Sequence, residues 1–183
     1  MQSSAPLAKL LAETIAIAGH VPVIAAGGIS TAESIARAMA AGAQGVMMGT
    51  RFVASDEAGA HPDYKRALVE AQPEDTVYTN CFDLGWPYAN SRVLRTATIR
   101  NWEAAGNPAA PNRPGEGDIL FHQNGEAMVR YSDSPPGENA KGDVLSGCLY
   151  AGTGVVDINS IRPAAEIVAS LWAETQALKF RHA

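Results

Sequence analysis

The sequence predicts an α/β fold built on parallel strands. Two short apolar runs, residues 21–26 and 45–48, flank a segment with helical spacing. Each run ends in a glycine turn, Gly27-Gly28 and Gly49-Thr50. Helix-forming sequence precedes the first run and follows both turns. Strand and helix alternating in this way is the pattern of a parallel sheet with helices packed on it.

In chain order, Leu7, Leu10, Leu11, Thr14, Ile15 and Ala18 recur at helical spacing and define one face of an opening helix. Lys9 and Glu13 interrupt its apolar character and no basic stretch precedes it, which argues against a secretion signal. Residues 21–26 carry no charge and read as a strand buried on both faces. Ser30 and Glu33 have capping-box spacing, so a helix begins near Thr31, turns Ala32, Ile35, Ala36 and Met39 inward, and stops at Gly42. Residues 45–48 form the next buried strand.

Beyond Phe52 the pattern loosens. His61-Pro62 opens a helix to about Ala71, and residues 76–80 read as an isolated strand. Residues 91–102 favour helix. Residues 106–117 and 132–142, rich in Pro and Gly, read as loops. Between them Asn124-Gly125 separates Ile119-Leu120-Phe121 from Ala127-Met128-Val129, a hairpin signal. Pro163 starts a last helix reaching Leu178, with Ile167, Leu171 and Leu178 along one side.

Composition narrows the function. The 183 residues, 46% hydrophobic and 18% charged, suit about one domain. A net charge of −5 gives little electrostatic support for nucleic-acid binding. No apolar run approaches the ~20 residues of a membrane span. Two cysteines, Cys81 and Cys148, make no disulfide framework and lack zinc spacing, so no metal site is expected, and a reducing, cytoplasmic compartment is the simplest reading.

The chemistry-bearing pattern is the pair of glycine turns. In a parallel sheet, neighbouring strands end on one side, so the two turns lie together. Glycines there let backbone N–H groups approach an anion closely, helix N-termini add positive potential, and Thr50 adds a hydroxyl. The expected product is a phosphate cradle without Lys or Arg. No Gly-Lys-Ser/Thr follows either turn, which excludes a P-loop, and the dinucleotide fingerprint lacks its third glycine and downstream acid.

Other candidates read more plainly as structure. His20, His61, His122 and His182 are expected on the surface, Glu70, Glu74 and Asp75 at a solvated helix end, and Trp86, Trp102 and Trp172 in the core. Arg92, Arg95 and Arg100 read either as surface charge or as the lining of an anion path.

The segments Val21-Pro22-Val23-Ile24-Ala25-Ala26-Gly27-Gly28-Ile29 and Gly45-Val46-Met47-Met48-Gly49-Thr50-Arg51-Phe52 resemble the FMN-binding half of the nitronate monooxygenase (2-nitropropane dioxygenase) family. Gly85-Trp86-Pro87, Arg92-Val93-Leu94-Arg95, Arg113-Pro114-Gly115-Glu116-Gly117, Tyr150-Ala151-Gly152-Thr153-Gly154 and Arg162-Pro163-Ala164-Ala165-Glu166 continue the resemblance in order.

The resemblance implies the C-terminal portion of a TIM (β/α)₈ barrel, its last two strand–helix units, with a smaller appended α+β segment containing the hairpin. It divides the chain into a partial FMN-binding barrel (1–72), the appended domain (73–150), and a C-terminal loop and helix packing back on the barrel (151–183). It implies FMN held by Gly27, Gly28, Met48, Gly49 and Thr50, with Tyr150 and Gly152 on the substrate side. Thr153 stands where the family more often has Gln. The implied reaction is oxidation of alkyl nitronates by O₂. The family's catalytic histidine lies in a Gly-Gly-His loop upstream of the opening helix, so no catalytic residue is expected within this chain. A missing N-terminal half or a second copy is the expected partner, since a whole barrel takes about 250 residues and the strand at 21–26 would otherwise keep a free edge. The alternatives are an FMN-dependent enoyl reductase relative, or a non-catalytic half-barrel that binds a phosphate compound or a partner chain.

Overall fold

The computed structural model describes residues 6–181, the side chains of 179–181 excepted; His182 lies outside the described residues. Helix α1 (Leu7–Ala18) leads to strand β1 (Ile24–Ala26), helix α2 (Ala32–Ala40) and strand β2 (Gly45–Met47). The strands pair in parallel, with Ile24 beside Gly45 and Ala26 beside Met47. Gln44 fixes this register by accepting from Val23 N–H at 2.7 Å through its side chain while its own N–H donates to Val23 O at 2.9 Å.

One face of this small sheet carries a core. Leu11, Ala25, Ile29, Ala38 and Ala43 are buried together, with Ile15, Val46 and Met48 against them. The other face is open: Ile24 is 55% and Met47 63% exposed. The strands are therefore not buried on both sides as the apolar runs suggested. Side chains alternate along a strand, and among the described residues nothing covers the second face.

Helix α2 starts one residue later than its expected cap. Thr31 is the N-cap: its Oγ1 accepts from Ser34 N–H at 3.2 Å, and Ser34 Oγ accepts from Thr31 N–H at 3.0 Å. The Ser30–Glu33 pair plays no such part, because Ser30 Oγ is directed at Asp157. Ala32 and Ala38 are the buried residues of α2, while Ile35, Ala36 and Met39 are half-buried. The C-terminal helix α6 (Ala164–Arg181) packs against α2. Among its described side chains Ile167 and Thr175 are buried, whereas Trp172 is 67% exposed.

A short helix α3 (Thr50–Val53) follows β2, and α4 (Pro62–Glu70) begins at His61, whose Nδ1 accepts from Asp63 N–H at 3.1 Å. That cap leaves the His61 side chain only 18% exposed, so it is not the free surface histidine expected. Tyr64 and Leu68 of α4 pack with Leu94, Leu149, Val155 and Ile158.

Strand β3 (Thr76–Thr79) is not isolated. It pairs antiparallel with β4 (Ser91–Leu94), and α5 (Ala97–Ala104) follows, so residues 91–102 are half strand and half helix. The β-branched and apolar Val93-Leu94 are buried in the strand, which overrides the helical tendency of their neighbours. Strands β5 (Ile119–Gln123) and β6 (Glu126–Val129) pair antiparallel across Asn124-Gly125, both at positive φ, and β7 (Lys141–Gly142) joins β5.

Cys81, Phe82, Val93, Ile99, Tyr131 and Cys148 form the centre of this second region, with Trp102 half-buried beside them. Trp86 is 71% exposed, which with Trp172 leaves Trp102 alone of the three tryptophans near a core. The Pro/Gly-rich loop at 106–117 is held by Arg113. Its side chain is 3% exposed, Nη1 donates to Asp83 Oδ1 at 2.6 Å, Nη2 to Glu116 Oε1 at 2.5 Å, and its guanidinium lies 4.2 Å from the Tyr131 ring centroid.

Replacing Arg113 by Met is expected to lower stability by roughly 2 kcal/mol, because charge-assisted hydrogen bonds to two carboxylates are lost; denaturant titration measures it. Burial raises both thiols to a pKa of about 12 from an ordinary 9.0. The folded state therefore holds these protons more tightly than the unfolded chain, and this contribution, complete below about pH 9, is lost as pH rises towards 12. Thiol reagent at about pH 8 should label neither cysteine in the folded protein and both in denaturant.

Candidate functional site

The two glycine turns leave adjacent parallel strands on the same side of the sheet. Gly27 and Gly28 have φ of +99° and +66°, a conformation that favours glycine, and they redirect the chain from β1 into the α2 cap. Gly49 caps α3 from an ordinary φ of −94°. Thr50 and Arg51 occupy the first turn of that helix, where amides have no intrahelical acceptor.

A third segment, absent from the sequence-level cradle, ties the turns together. Gly152 N–H donates to Thr50 Oγ1 at 2.9 Å. Thr153 Oγ1 lies 3.2 Å from where a Cβ on Gly28 would sit. Ser30 Oγ donates to Asp157 Oδ2 at 2.5 Å, and a Cβ on Gly154 would come within 2.6 Å of Ser30 Oγ. Residues 152–157 thus touch both turns at once. No local motif announces these contacts, which join residues more than one hundred positions apart. The Thr50 hydroxyl serves as acceptor here and keeps its proton for another partner.

Gly27, Gly28, Gly152 and Thr153 line a groove of about 650 Å³, with Tyr78 and Arg92 from β3 and β4 and residues of α1 and α2. Met48 turns its side chain into the core between sheet and helices, so the strand end offers main chain. Tyr150 points elsewhere: its hydroxyl donates to Asp133 O at 2.9 Å, and its carbonyl accepts from Tyr64 O–H at 2.5 Å. Burial raises the pKa of both phenols beyond the usual tyrosine range. Tyr150 therefore remains protonated and positions the start of the 152–157 segment.

Behind the second turn, Arg51 is 6% exposed and donates to Ser160 O at 3.2 Å. Its pKa is lowered by burial and by the nearby Arg162. Among the described residues neither arginine lies within 4.0 Å of a carboxylate. This leaves positive potential close to an open turn.

Gly49 tests whether the turns fit an anion. A Cβ there would meet nothing within 4 Å, and its φ suits any residue. Neither backbone conformation nor packing within the chain requires glycine at this position. Gly49 is exposed, so its turn is open to solvent and to an approaching anion alike. His20 and His122 are exposed, and among the described residues no group of three or more His, Cys, Asp or Glu could hold a metal.

Comparison with known proteins adds an independent finding. The nitronate monooxygenase family model matches residues 4–174. A nitronate monooxygenase of Paraburkholderia phytofirmans is 34% identical over 92% of this chain and 40% of its own length. A probable nitronate monooxygenase of Staphylococcus saprophyticus is 48% identical over 61 residues, 33% of this chain and 17% of the relative. The structure of a nitroalkane oxidase from Streptomyces ansochromogenes matches 100% of this chain and 49% of that one, at 28% identity and a TM-score of 0.70. The chain spans less than half the length of each of these relatives.

Two alanine substitutions separate room kept for a ligand from room needed by the fold. Gly49→Ala is expected to change stability by less than about 0.5 kcal/mol, as at unstrained surface sites. Gly154→Ala is expected to cost about 1–3 kcal/mol, because its Cβ overlaps Ser30 Oγ. Thermal or denaturant unfolding of the two variants side by side is the measurement.

Proposed function

The chain belongs to the nitronate monooxygenase family, and from that premise we propose that its glycine-turn groove is the FMN-binding side of an oxidoreductase acting on alkyl nitronates and O₂. On this reading β1, α2 and β2 correspond to the last two strand–helix units of a barrel within residues 1–72. Residues 73–150 form an appended unit, and residues 151–183 return to the barrel.

The observation that carries the reading is the open space at Gly49 beside the main-chain bend at Gly27-Gly28. Gly27, Gly28, Gly49 and Thr50 would hold the FMN phosphate through N–H groups and the Thr50 hydroxyl, with the Met48 main chain beside them. Arg51 and Arg162 add positive potential without occupying the cradle. FMN supplies the electron transfer between nitronate and O₂; the protein supplies binding, orientation and access. Gly152 and Thr153 line the same groove as Gly27 and Gly28 and on this reading would face the substrate. The Tyr150 hydroxyl holds Asp133 O, which makes Tyr150 a support for these two residues. No proton-transferring residue is assigned within this chain.

The visible spectrum of the purified protein, reconstituted with FMN if necessary, is expected to show a bound flavin, and O₂ uptake should follow addition of an alkyl nitronate. Gly28→Val and Gly49→Val should each lose the flavin, because a branched Cβ blocks the main-chain approach. Full flavin content in both variants would overturn the cradle. Rapid reduction of the bound flavin by NAD(P)H without nitronate-dependent O₂ uptake would point to an enoyl reductase instead.

A further inference from the structure

Arg92, Arg95 and Arg100 have different surroundings. Arg95 forms an ion pair with Glu103, and exposed Arg100 donates to Arg95 O at 2.5 Å. Both line a separate, open cleft of about 260 Å³ that also contains Glu70 and Asp75. Arg92 is the exception. It is half-buried on β4 and lines the large groove together with Gly27, Gly28, Gly152 and Thr153.

The Arg92 guanidinium is held without an acid. Nη1 donates to Thr76 Oγ1 at 3.2 Å, and its carbon lies 5.9 Å from the centroid of the Tyr78 ring. Among the described residues no carboxylate comes within 4.0 Å of it. A guanidinium has five N–H donors, and one contact to a hydroxyl leaves most of them unused. Partial burial removes water that would otherwise satisfy the charge, so an incoming oxyanion gains a charge-assisted, two-pronged contact. The groove's other arginine, Arg37 on α2, is exposed and lies close enough to Glu33 to help lower that carboxyl's pKa.

We propose that Arg92, braced by Thr76 and the Tyr78 ring, is the specificity-determining anchor for the oxyanion of the substrate in this groove. The inference rests on the FMN reading above and extends it to the β4 residue that lines the same groove. The Gly27-Gly28 turn, which lines this groove, supplies one anion-binding element from main chain. Arg92 supplies a second from a different part of the fold, the β3–β4 sheet. The groove they share, about 650 Å³, has room for a cofactor's phosphate and a small organic anion together. A nitronate is itself an anion, so the reacting molecule brings the charge that Arg92 lacks. The same chemistry would suit the phosphate of the cofactor, and the two sources give different results below.

Propionate is the probe, an unreactive small carboxylate. It is titrated calorimetrically into the flavin-loaded wild-type protein, Arg92→Met and Arg92→Lys. In parallel, modification of Arg92 by phenylglyoxal in the wild-type protein is followed by mass spectrometry with and without propionate. The expected result is a loss of propionate affinity of at least about tenfold in Arg92→Met and a smaller loss in Arg92→Lys, which keeps the charge but not the fork. Flavin content should stay unchanged in both, and propionate should shield Arg92 from phenylglyoxal. Equal propionate affinity in Arg92→Met, or no shielding, overturns the proposal. Loss of flavin in both variants with propionate affinity intact also overturns it and assigns Arg92 to the cofactor's phosphate. If Arg92→Met fails to fold, the Lys variant and the shielding experiment still decide. A wild-type protein that takes up no flavin, yet in which propionate shields Arg92, would sink the FMN reading and leave the anion anchor standing.

Discussion

The 152–157 segment must lie flat against both glycine turns, and the site depends on that contact. Thr50 Oγ1 receives the Gly152 N–H, Asp157 receives the Ser30 hydroxyl, and Gly154 passes where no side chain fits. Each is a close approach of main chain or small polar groups, and the two hydrogen bonds are worth on the order of 1 kcal/mol apiece. Their weight is geometric. They tie a turn that follows β1 to one that follows β2, and the Tyr150 main chain just before them is bridged to Val93 of β4, whose neighbour Arg92 lines the groove. Removing the segment would take Gly152 and Thr153 out of the groove's lining and the Gly152 N–H from Thr50.

Charge is distributed to the same end. Arg113 is buried and bound through its Nη atoms by Asp83 and Glu116 with the Tyr131 ring beside it, so its charge is neutralised within a loop. Arg51 and Arg162 are withdrawn from water without acids nearby, and Arg92 keeps its charge toward the groove. An acidic protein overall thus keeps one arginine without an acid partner, Arg92, in the lining of its groove. That arrangement suits an anionic ligand better than a net charge of −5 would suggest.

The local part of this organisation was legible in the sequence. Val21 to Gly28 and Gly45 to Thr50 state strand, turn and helix start through apolar runs and glycine, and Asn124-Gly125 states a tight turn. What escaped depends on distant partners. Ser30 has the spacing of a cap, but Asp157 claims its hydroxyl and Thr31 takes over. Val93-Leu94 sit in a helix-tolerant stretch, yet pairing with β3 and burial make them a strand. Trp86 and Trp172 look like core residues by type, and only the packing shows them exposed. Arg92 could not be told from Arg95 until Glu103 was seen to neutralise one and not the other.

The bridging contacts also have a kinetic meaning. Gly152 to Thr50 and Ser30 to Asp157 join positions 102 and 127 apart in the chain, whereas β1, α2 and β2 assemble from neighbours. Closing such long loops is slow relative to local turns and helices. The contacts that complete the groove therefore carry a high loop-closure cost. A molecule that binds only the finished groove acts chiefly by slowing its reopening, so it prolongs the lifetime of the native chain more than it hastens folding.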